Sequence, residues 1–339
     1  MAVSDVVVVG QEEVHRLLPM GECIDLMADA LAALAKEEAI MPLRTVMWLP
    51  EKVGALATMP SYLSSLVATG VKAITIFPGN HGTELDAHQG AILVFEAKRG
   101  RLVAIVDATS VTAIRTAGVS GAATRALARK DAGDLAILGS GTQARTHLEA
   151  MVLVRTVRRV RVWSRNPDRA KRFAKREAAR HGIKVEVSAT AREAVDGADL
   201  ICTTTSSPEP VLLGEWVAAG THVNAIGAVG PGGRELDGEA VRRSRLFVDR
   251  RESALNEAGE FVLARDEGVI GEGHIVAEIG EVLAAAVRGR GWDAEITLFR
   301  GVGLAVEDLA AAHHVYLRAV EAGAGTRIDL GGGRRPADA

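Results

Sequence analysis

Hydrophobic and polar positions follow two different patterns along the chain. From Asp134 onward, short apolar runs are separated by longer polar or helical segments. The runs predicted as strands are Leu135–Leu138, Val160–Trp163, Ile183–Val187, Leu200–Thr203, His222–Ile226 and Leu246–Val248. A basic helix from Pro167 to about Arg180 follows the second of them. Because strands that alternate with helices are typical of a parallel, doubly wound sheet, we predict an α/β domain here.

The region before Asp134 has closely spaced strand-like runs instead. Val6–Val9 is predicted as a first strand, and Asp25–Ala39 as an alanine-rich helix. The later runs are Arg44–Leu49, Gly54–Pro60, Val71–Ile76, Ala91–Glu96 and Leu102–Asp107. Glycine or proline separates most of these runs, which indicates hairpins in a mixed or antiparallel sheet.

Two predicted helices connect the regions. Thr109–Lys130 leads into the doubly wound domain, and the apolar segment Leu304–Ala322 returns from it to the first domain. We therefore predict a discontinuous α/β domain formed by residues 1–117 and 308–330, and a second domain at 118–307. The glycine-rich tail 331–339 is predicted to be disordered.

Composition limits the classes of partner. The 339 residues suffice for two cores, and 48% hydrophobic with 24% charged residues is ordinary for a folded protein. A net charge of −3 gives no reason to expect a polyanionic partner. The two cysteines, Cys23 and Cys202, are too few for a disulfide framework, and no apolar run approaches the ~20 residues of a membrane span. We predict a cytoplasmic protein without membrane or nucleic-acid partners.

A glycine-rich turn follows the first strand of the second domain. Gly139 permits a tight turn, Gly141 lets the backbone approach a pyrophosphate, and Ala144 allows close helix–strand packing. Backbone N–H groups at the start of the next helix then face the phosphates. The cofactor-binding candidates at the turn are Gly139, Ser140, Gly141, Thr142, Gln143 and Ala144. This context predicts a Rossmann-type domain that binds a nicotinamide dinucleotide.

The end of the second strand bears on the choice between NAD and NADP. Ser164, Arg165 and Asn166 follow Trp163, without the carboxylate that would accept the ribose hydroxyls of NAD. A serine and an arginine suit a 2′-phosphate, so we favour NADP(H) and keep NAD(H) as the alternative. The alternative is that Arg165 does not bind the cofactor and belongs to the solvated face of the basic helix. Thr204 and Thr205, which follow the strand Leu200–Thr203, complete the cofactor-binding candidates.

Seven motifs stand in order along nearly the whole chain. They are Met41-Pro-Leu-Arg44, Gly70-Val-Lys72, Phe77-Pro-Gly-Asn80, Ala113-Ile-Arg115-Thr-Ala-Gly118, Gly139-Ser-Gly-Thr-Gln-Ala-Arg145, Asn224-Ala-Ile-Gly227 and Val306-Glu307-Asp308. Together they resemble the ornithine cyclodeaminase/μ-crystallin family. The resemblance implies a homodimer whose subunits join through the non-Rossmann domain, which also binds the substrate.

The resemblance also implies site residues. Family members act on α-amino acids or their imines beside a nicotinamide ring. Arg44 and Arg115 match the arginines that bind the substrate carboxylate, and a planar guanidinium suits bidentate contact. Lys72 matches the lysine near the reacting carbon and nitrogen. Beside two arginines the pKa of Lys72 should be lowered, which suits proton transfer.

Two segments depart from the family pattern. Val229 stands where family cyclodeaminases have a catalytic aspartate, and valine cannot transfer a proton. The segment from Gly227 to Asp237 is instead closer to the μ-crystallin-like ketimine reductases. At Leu85–Gly90, Asp86 and His88 are candidates for the missing proton-handling group, and a hydrogen-bonded start of a strand explains them equally well.

These observations favour an NADPH-dependent reductase of α-imino carboxylates. In the reverse direction the same site would act as an amino-acid dehydrogenase. The alternatives are an ornithine or lysine cyclodeaminase with bound NAD, and a non-catalytic, NADP-dependent ligand-binding protein. The histidines lack the spacing of metal ligands, so no metal is predicted.

Overall fold

The computed structural model describes residues 5–80, 83–228 and 230–330 of the chain. The chain divides into two compact units, one of residues 1–115 and 304–339, and the other of residues 116–303. The assignment of substrate binding to the first unit and dinucleotide binding to the second stays a prediction.

The first unit is built on a mixed eight-stranded sheet. Its strands are β1 (Asp5–Val9), β2 (Ala39–Ile40), β3 (Thr45–Trp48), β4 (Ala55–Leu63), β5 (Ala68–Ile76), β6 (His88–Glu96), β7 (Arg101–Asp107) and β16 (Thr326–Asp329). The order is β16-β1-β7-β6-β5-β4-β2, and β3 pairs with β4. All pairs are antiparallel except β1 with β7. Its helices are α1 (Gln11–Leu17), α2 (Met20–Ala35) and α11 (Ala305–Ala322), and α3 (Ala108–Leu127) crosses the unit boundary after Arg115.

One face of this sheet is covered by α11. The helix packs against β1, β4, β5, β6 and β7. Burial alternates along β5, where every second residue from Ala68 to Ile74 is buried and the residues between them are half-buried. This period of two is what a strand requires when one face lies on a core. Lys72 occupies one of the buried positions.

The second unit contains a parallel eight-stranded sheet. Its strands are β8 (Asp134–Leu138), β9 (Arg159–Trp163), β10 (Val185–Val187), β11 (Leu200–Thr203), β12 (His222–Ala225), β13 (Arg245–Val248), β14 (Ile275–Glu278) and β15 (Thr297–Arg300). The order is β10-β9-β8-β11-β12-β15-β13-β14, with every pairing parallel. Its helices are α4 (Thr142–Val154), α5 (Pro167–His181), α6 (Ala191–Val195), α7 (Gly238–Arg242), α8 (Arg251–Glu257), α9 (Gly259–Asp266) and α10 (Ile279–Leu283). The predicted Rossmann-like α/β fold is confirmed.

Some predicted elements have different bounds. The helix predicted at Asp25–Ala39 is α2, which begins directly after Pro19 and ends at Ala35, because Glu37 adopts a left-handed conformation with φ 60°. The strand predicted to end at Pro60 continues to Leu63. On the side away from β5, Pro60 lies between the stretches of β4 that pair with β3 and with β2, so neither pairing needs its missing N–H.

Four of the observed strands were not predicted. They are β2, β14, β15 and β16, and β15 lies inside the parallel sheet between β12 and β13. All four residues of β15 are buried, including Arg300. A short run that ends in a buried arginine gives no clear strand pattern, because arginine is rarely buried without a partner. In the described part of the chain, no helix is both long and apolar enough to cross a membrane.

Candidate active site

A buried cluster of charged side chains lies in the first unit. Lys72 Nζ contacts Asp308 Oδ1 and Oδ2, each at 3.1 Å. Arg115 donates from Nε to Asp308 Oδ1 at 2.9 Å and from Nη1 to Glu307 Oε2 at 2.9 Å. Each of the four residues is at most 5% exposed. Asp308 therefore joins the two cations that the family resemblance assigns to the site.

Three elements bring this cluster together. Lys72 lies in β5 on the face that α11 covers, and Arg115 lies on α3. Glu307 and Asp308 lie in the first turn of α11, where carboxylates are favoured by the helix dipole. Glu307 Oε2 also accepts the Leu304 N–H at 3.2 Å, which ties the carboxylate to the start of the helix.

Burial and the neighbouring charges lower the pKa of Lys72 to about 8. Burial is the largest cause, Asp308 opposes it, and the charges of Arg115 and Arg44 add to the lowering. Burial alone raises the pKa of Asp308, but the charges of Arg115 and Lys72 hold that pKa below its ordinary value. The lowered pKa expected for Lys72 is therefore present, with burial as its main cause instead of the arginines.

The other predicted residues of the first unit are more exposed. Arg44 is half-buried and close enough to Lys72 to affect its pKa. Asp86 is exposed, and its backbone oxygen accepts hydrogen bonds from Asn80 Nδ2 at 3.0 Å and from Gln89 Nε2 at 2.9 Å.

His88 lies at the start of β6 and is half-buried. It pairs with Ile76, four residues along β5 from Lys72, so the backbones of His88 and Lys72 are about 14 Å apart. That separation favours the structural explanation of this segment, and the proton-handling role of Asp86 and His88 stays a prediction. Val229 lies outside the described residues.

In the second unit, the glycine turn has the shape that a pyrophosphate requires. Gly139 has φ 125°, and a Cβ there would lie 2.6 Å from Thr204 Oγ1. A Cβ on Gly141 would meet no described atom within 4 Å. Gly141 precedes the first turn of α4, formed by Thr142, Gln143 and Ala144, and no side chain caps that turn. Open space and uncapped N–H groups at a helix start fit a dinucleotide phosphate.

Several other cofactor candidates hydrogen-bond within the protein. Ser140 Oγ lies 3.0 Å from Ser164 Oγ, which connects the turn to the end of β9. Asn166 Oδ1 accepts the N–H groups of Asp168 at 3.0 Å and Arg169 at 3.1 Å, so this side chain caps α5. Arg165 is exposed.

The two threonines after β11 are also engaged. The Thr204 hydroxyl donates to Leu138 O at 3.0 Å, and the Thr205 hydroxyl donates to Glu235 Oε1 at 2.7 Å. Because a hydroxyl oxygen has two lone pairs, each of these side chains can still accept a hydrogen bond from a ligand.

Asp308 and Glu307 are the site residues that the sequence analysis did not select, although both belong to a quoted motif. Two adjacent acids at a helix start give no sign of function on their own. They could have been found from the candidate cations elsewhere in the chain, because a buried lysine and a buried arginine each require a counter-charge. Among the described residues, no group of three or more His, Cys, Asp or Glu is placed to hold a metal ion.

The fold and the two sites define an α/β protein of the dinucleotide-binding class. The chain belongs to the ornithine cyclodeaminase/mu-crystallin family, whose sequence profile matches residues 4–323. The resemblance inferred from the seven motifs is thereby confirmed.

Several similar proteins are imine reductases. The ketimine reductase mu-crystallin of Mus musculus is 39% identical over 277 residues, 82% of this chain and 84% of that protein. The Delta(1)-pyrroline-2-carboxylate reductase of Bacillus cereus is 35% identical over 324 residues, 95% of this chain and 99% of that protein. The Thermococcus litoralis Delta(1)-pyrroline-2-carboxylate reductase, solved with NADH and L-proline, has a TM-score of 0.93 and 40% identity, covering 95% of this chain and 100% of that one. These names support the predicted class, an oxidoreductase that acts on C=N bonds.

Proposed function

We propose that this protein reduces the C=N bond of an α-imino carboxylate with a nicotinamide cofactor. The observation that carries the proposal is the buried cluster of Lys72, Asp308 and Arg115, which holds a lysine with a pKa of about 8. An imine nitrogen must gain a proton when its carbon gains a hydride. A donor whose pKa lies near the operating pH is the efficient choice for that transfer.

The cations around Lys72 support a carboxylate substrate. Lys72 and Arg115 each pair with Asp308, and Arg115 also pairs with Glu307. Arg44 is a third cation near Lys72, and its charge lowers the pKa of that lysine. A planar guanidinium at this position suits bidentate contact with a carboxylate. We assign the carboxylate mainly to Arg44, with Arg115 contributing donors from a guanidinium that Asp308 and Glu307 already orient.

Each residue then has one task. Arg44 and Arg115 orient the carboxylate, Lys72 donates its proton to the imine nitrogen, and Asp308 fixes the Lys72 ammonium in place. Glu307 fixes Arg115 from the start of α11. In the second unit, the turn from Gly139 to Ala144 holds the pyrophosphate of the dinucleotide. The cofactor, when bound, supplies the hydride that adds to the imine carbon.

We further propose that NADPH is preferred over NADH. Ser164 and Arg165 follow β9 without a carboxylate, and Arg165 is exposed and accessible to a 2′-phosphate. Replacement of Arg165 by Ala should raise the KM for NADPH about tenfold and leave the KM for NADH unchanged, because a single charge-assisted contact is lost. An unchanged KM for both cofactors would assign Arg165 to the solvated helix face.

The carboxylate assignment is tested with two substrates. Arg44→Leu should raise the KM for pyrroline-2-carboxylate by roughly 10- to 100-fold, since a charge-assisted contact contributes about 1.5–3 kcal/mol. The KM for 1-pyrroline, which lacks the carboxylate, should change little. Arg16→Leu on α1, an exposed position, is the matched control. Equal losses with the two substrates would contradict the assignment.

We also propose that the protein is a homodimer joined through the sheet of the first unit. On the face opposite α11, the apolar side chains of Leu56, Val71, Leu93, Phe95 and Ile105 are only half-buried. On the adjoining β3, Met47 is 54% exposed. Apolar side chains that remain partly exposed on one face of a sheet are typical of a protein interface.

A further inference from the structure

A fully buried carboxylate lies beyond the ends of β11 and β12 in the second unit. Glu235 is 0% exposed. Its Oε1 accepts the Thr205 N–H at 2.5 Å and the Thr205 hydroxyl at 2.7 Å. Its Oε2 accepts the Thr203 hydroxyl at 2.8 Å and the Gly227 N–H at 2.7 Å. One side chain thus fixes the backbone after two neighbouring parallel strands.

The backbone of Glu235 is fixed as firmly as its side chain. Its N–H donates to Glu260 Oε1 at 2.9 Å, and its carbonyl oxygen accepts the N–H groups of Val211 at 2.7 Å and Leu212 at 3.0 Å. Glu260 in turn pairs with Arg300, at 2.5 Å between Oε2 and Nε, and both are 1% exposed.

Arg300 holds the same loop from its other side. It donates to Ala225 O at 3.2 Å and to Ala228 O at 2.7 Å. The segment 225–228 is therefore held between an anion that accepts its N–H and a cation that donates to its carbonyls. Such charge-assisted bonds are stronger than neutral ones, especially where water is excluded.

The two loops also touch through their backbones. A Cβ on Gly227 would collide with Thr205 O and lie 2.7 Å from Glu235 Oε1, so only glycine permits the approach. A shift of either loop would break the bonds to Glu235. The loops after β11 and β12 therefore behave as one rigid surface.

The position of this surface relative to the glycine turn indicates which part of the cofactor it faces. The turn follows β8, with β9 on one side and β11 then β12 on the other. In doubly wound sheets the dinucleotide lies across the carboxyl ends of the strands at this point, and its adenosine ribose contacts the strand next to the turn, here β9. The nicotinamide half then falls on the side of β11 and β12.

We propose that Glu235 is a positioning residue for the nicotinamide half of the cofactor, acting through Thr205 and Gly227. The inference rests on the proposed use of a nicotinamide dinucleotide, but not on the identity of the imine. Glu235 itself has no free donor or acceptor for the cofactor, because each oxygen already accepts two hydrogen bonds. Its effect is to fix the ring in one orientation.

Two cofactor ligands distinguish this role from a general structural one. Glu235→Gln places an amide N–H₂ against donors and should raise the Kd for NADPH about tenfold. The Kd for 2′-phospho-ADP-ribose, which lacks the nicotinamide, should stay within about twofold of wild type. The fluorescence enhancement of bound NADPH should also fall, since it reports on the surroundings of the reduced ring. Glu209→Gln, an exposed carboxylate after β11, should change none of these.

A milder pair of variants covers the case in which Glu235→Gln does not fold. Thr203→Val and Thr205→Val each remove one hydroxyl donor and keep the backbone and the shape. Each should shift NADPH affinity and fluorescence in the same direction by about threefold, without an effect on the fragment. Equal losses for NADPH and the fragment, or no change in either, would overturn the positioning role. Normal NADPH binding by the wild type without imine reduction would instead refute the proposed reaction. The positioning role of Glu235 would be unaffected by that result.

Discussion

Asp308 fixes the orientation of both Lys72 and Arg115. Lys72 Nζ and Arg115 Nε contact the same carboxylate, so the two cations are positioned together. Removing one partner of such a buried pair leaves an uncompensated charge, which is costly. The cluster is therefore a preformed unit, beside which the proposed assignment places the substrate carboxylate, at Arg44.

The protonation of Lys72 predicts the pH dependence of reduction. Since burial lowers the pKa of Lys72 to about 8, the donating ammonium is present below pH 8 and is lost as the pH rises through that value. We expect kcat/KM for imine reduction to fall above about pH 8, and the rate of amine oxidation to rise there. Rates over pH 6–10 measure this. A flat profile across pH 8 would exclude Lys72 as the proton donor.

Asp308 raises the pKa of Lys72, so its removal should move that profile. In Asp308→Asn the shape is kept and the negative charge is lost. The inflection should then shift to lower pH by about one pH unit or more, since opposite charges at this distance move a pKa by about 1–3. Glu12→Gln, an exposed carboxylate on α1, is the matched control. An unmoved inflection in the folded variant would show that Asp308 does not act on Lys72.

At the scale of elements, the turn between β8 and α4 contains one glycine that the fold requires and one that ligand binding requires. Gly139 needs φ 125°, and a side chain there would collide with Thr204. Gly141 has an ordinary backbone conformation, and a Cβ would enter open space. Two glycines of one motif are thus required for different reasons.

Alanine substitutions at the two glycines should therefore behave differently. Gly139→Ala should lower the free energy of unfolding by about 1–3 kcal/mol, because a non-glycine residue is strained there. Gly141→Ala should leave that free energy within about 0.5 kcal/mol of wild type and weaken dinucleotide binding at least tenfold. Urea unfolding and fluorescence titration measure both quantities. Undiminished cofactor affinity in Gly141→Ala would contradict phosphate binding at this turn.

The elements also explain what the sequence could predict. The turn and the strands β8, β9, β11 and β12 were predictable from local spacing. The motifs selected Lys72 and Arg115, and the structure brings these two side chains together on Asp308. The central strand β15 and the partner Asp308 were not predictable, because both depend on contacts between distant parts of the chain. Lys72 and Asp308 are 236 positions apart. Asn166 was selected from the sequence as a cofactor candidate, and the structure shows that its side-chain oxygen caps α5.

For the whole molecule, the apolar face of the first unit leads to the predicted dimer. Light scattering should give twice the monomer mass of 35.7 kDa. Val71→Glu, at the centre of that face, should yield a monomer with unchanged circular dichroism, because an unpaired charge is costly in an apolar interface. Leu317→Glu, at an exposed position of α11, should remain dimeric. A dimeric Val71→Glu variant would show that another surface joins the subunits.

The central claim is that a hydride passes from the cofactor to the carbon of an α-imino carboxylate. NADPH carrying deuterium in its transferable position, incubated with the protein and pyrroline-2-carboxylate, tests it most directly. The account predicts proline with one deuterium at Cα, formed in step with oxidation of the cofactor. Absence of labelled proline with this substrate and with piperideine-2-carboxylate as its six-membered counterpart would contradict it, as would ammonia release from ornithine without net cofactor oxidation. Tight NADPH binding without any turnover would instead support a ligand-binding protein.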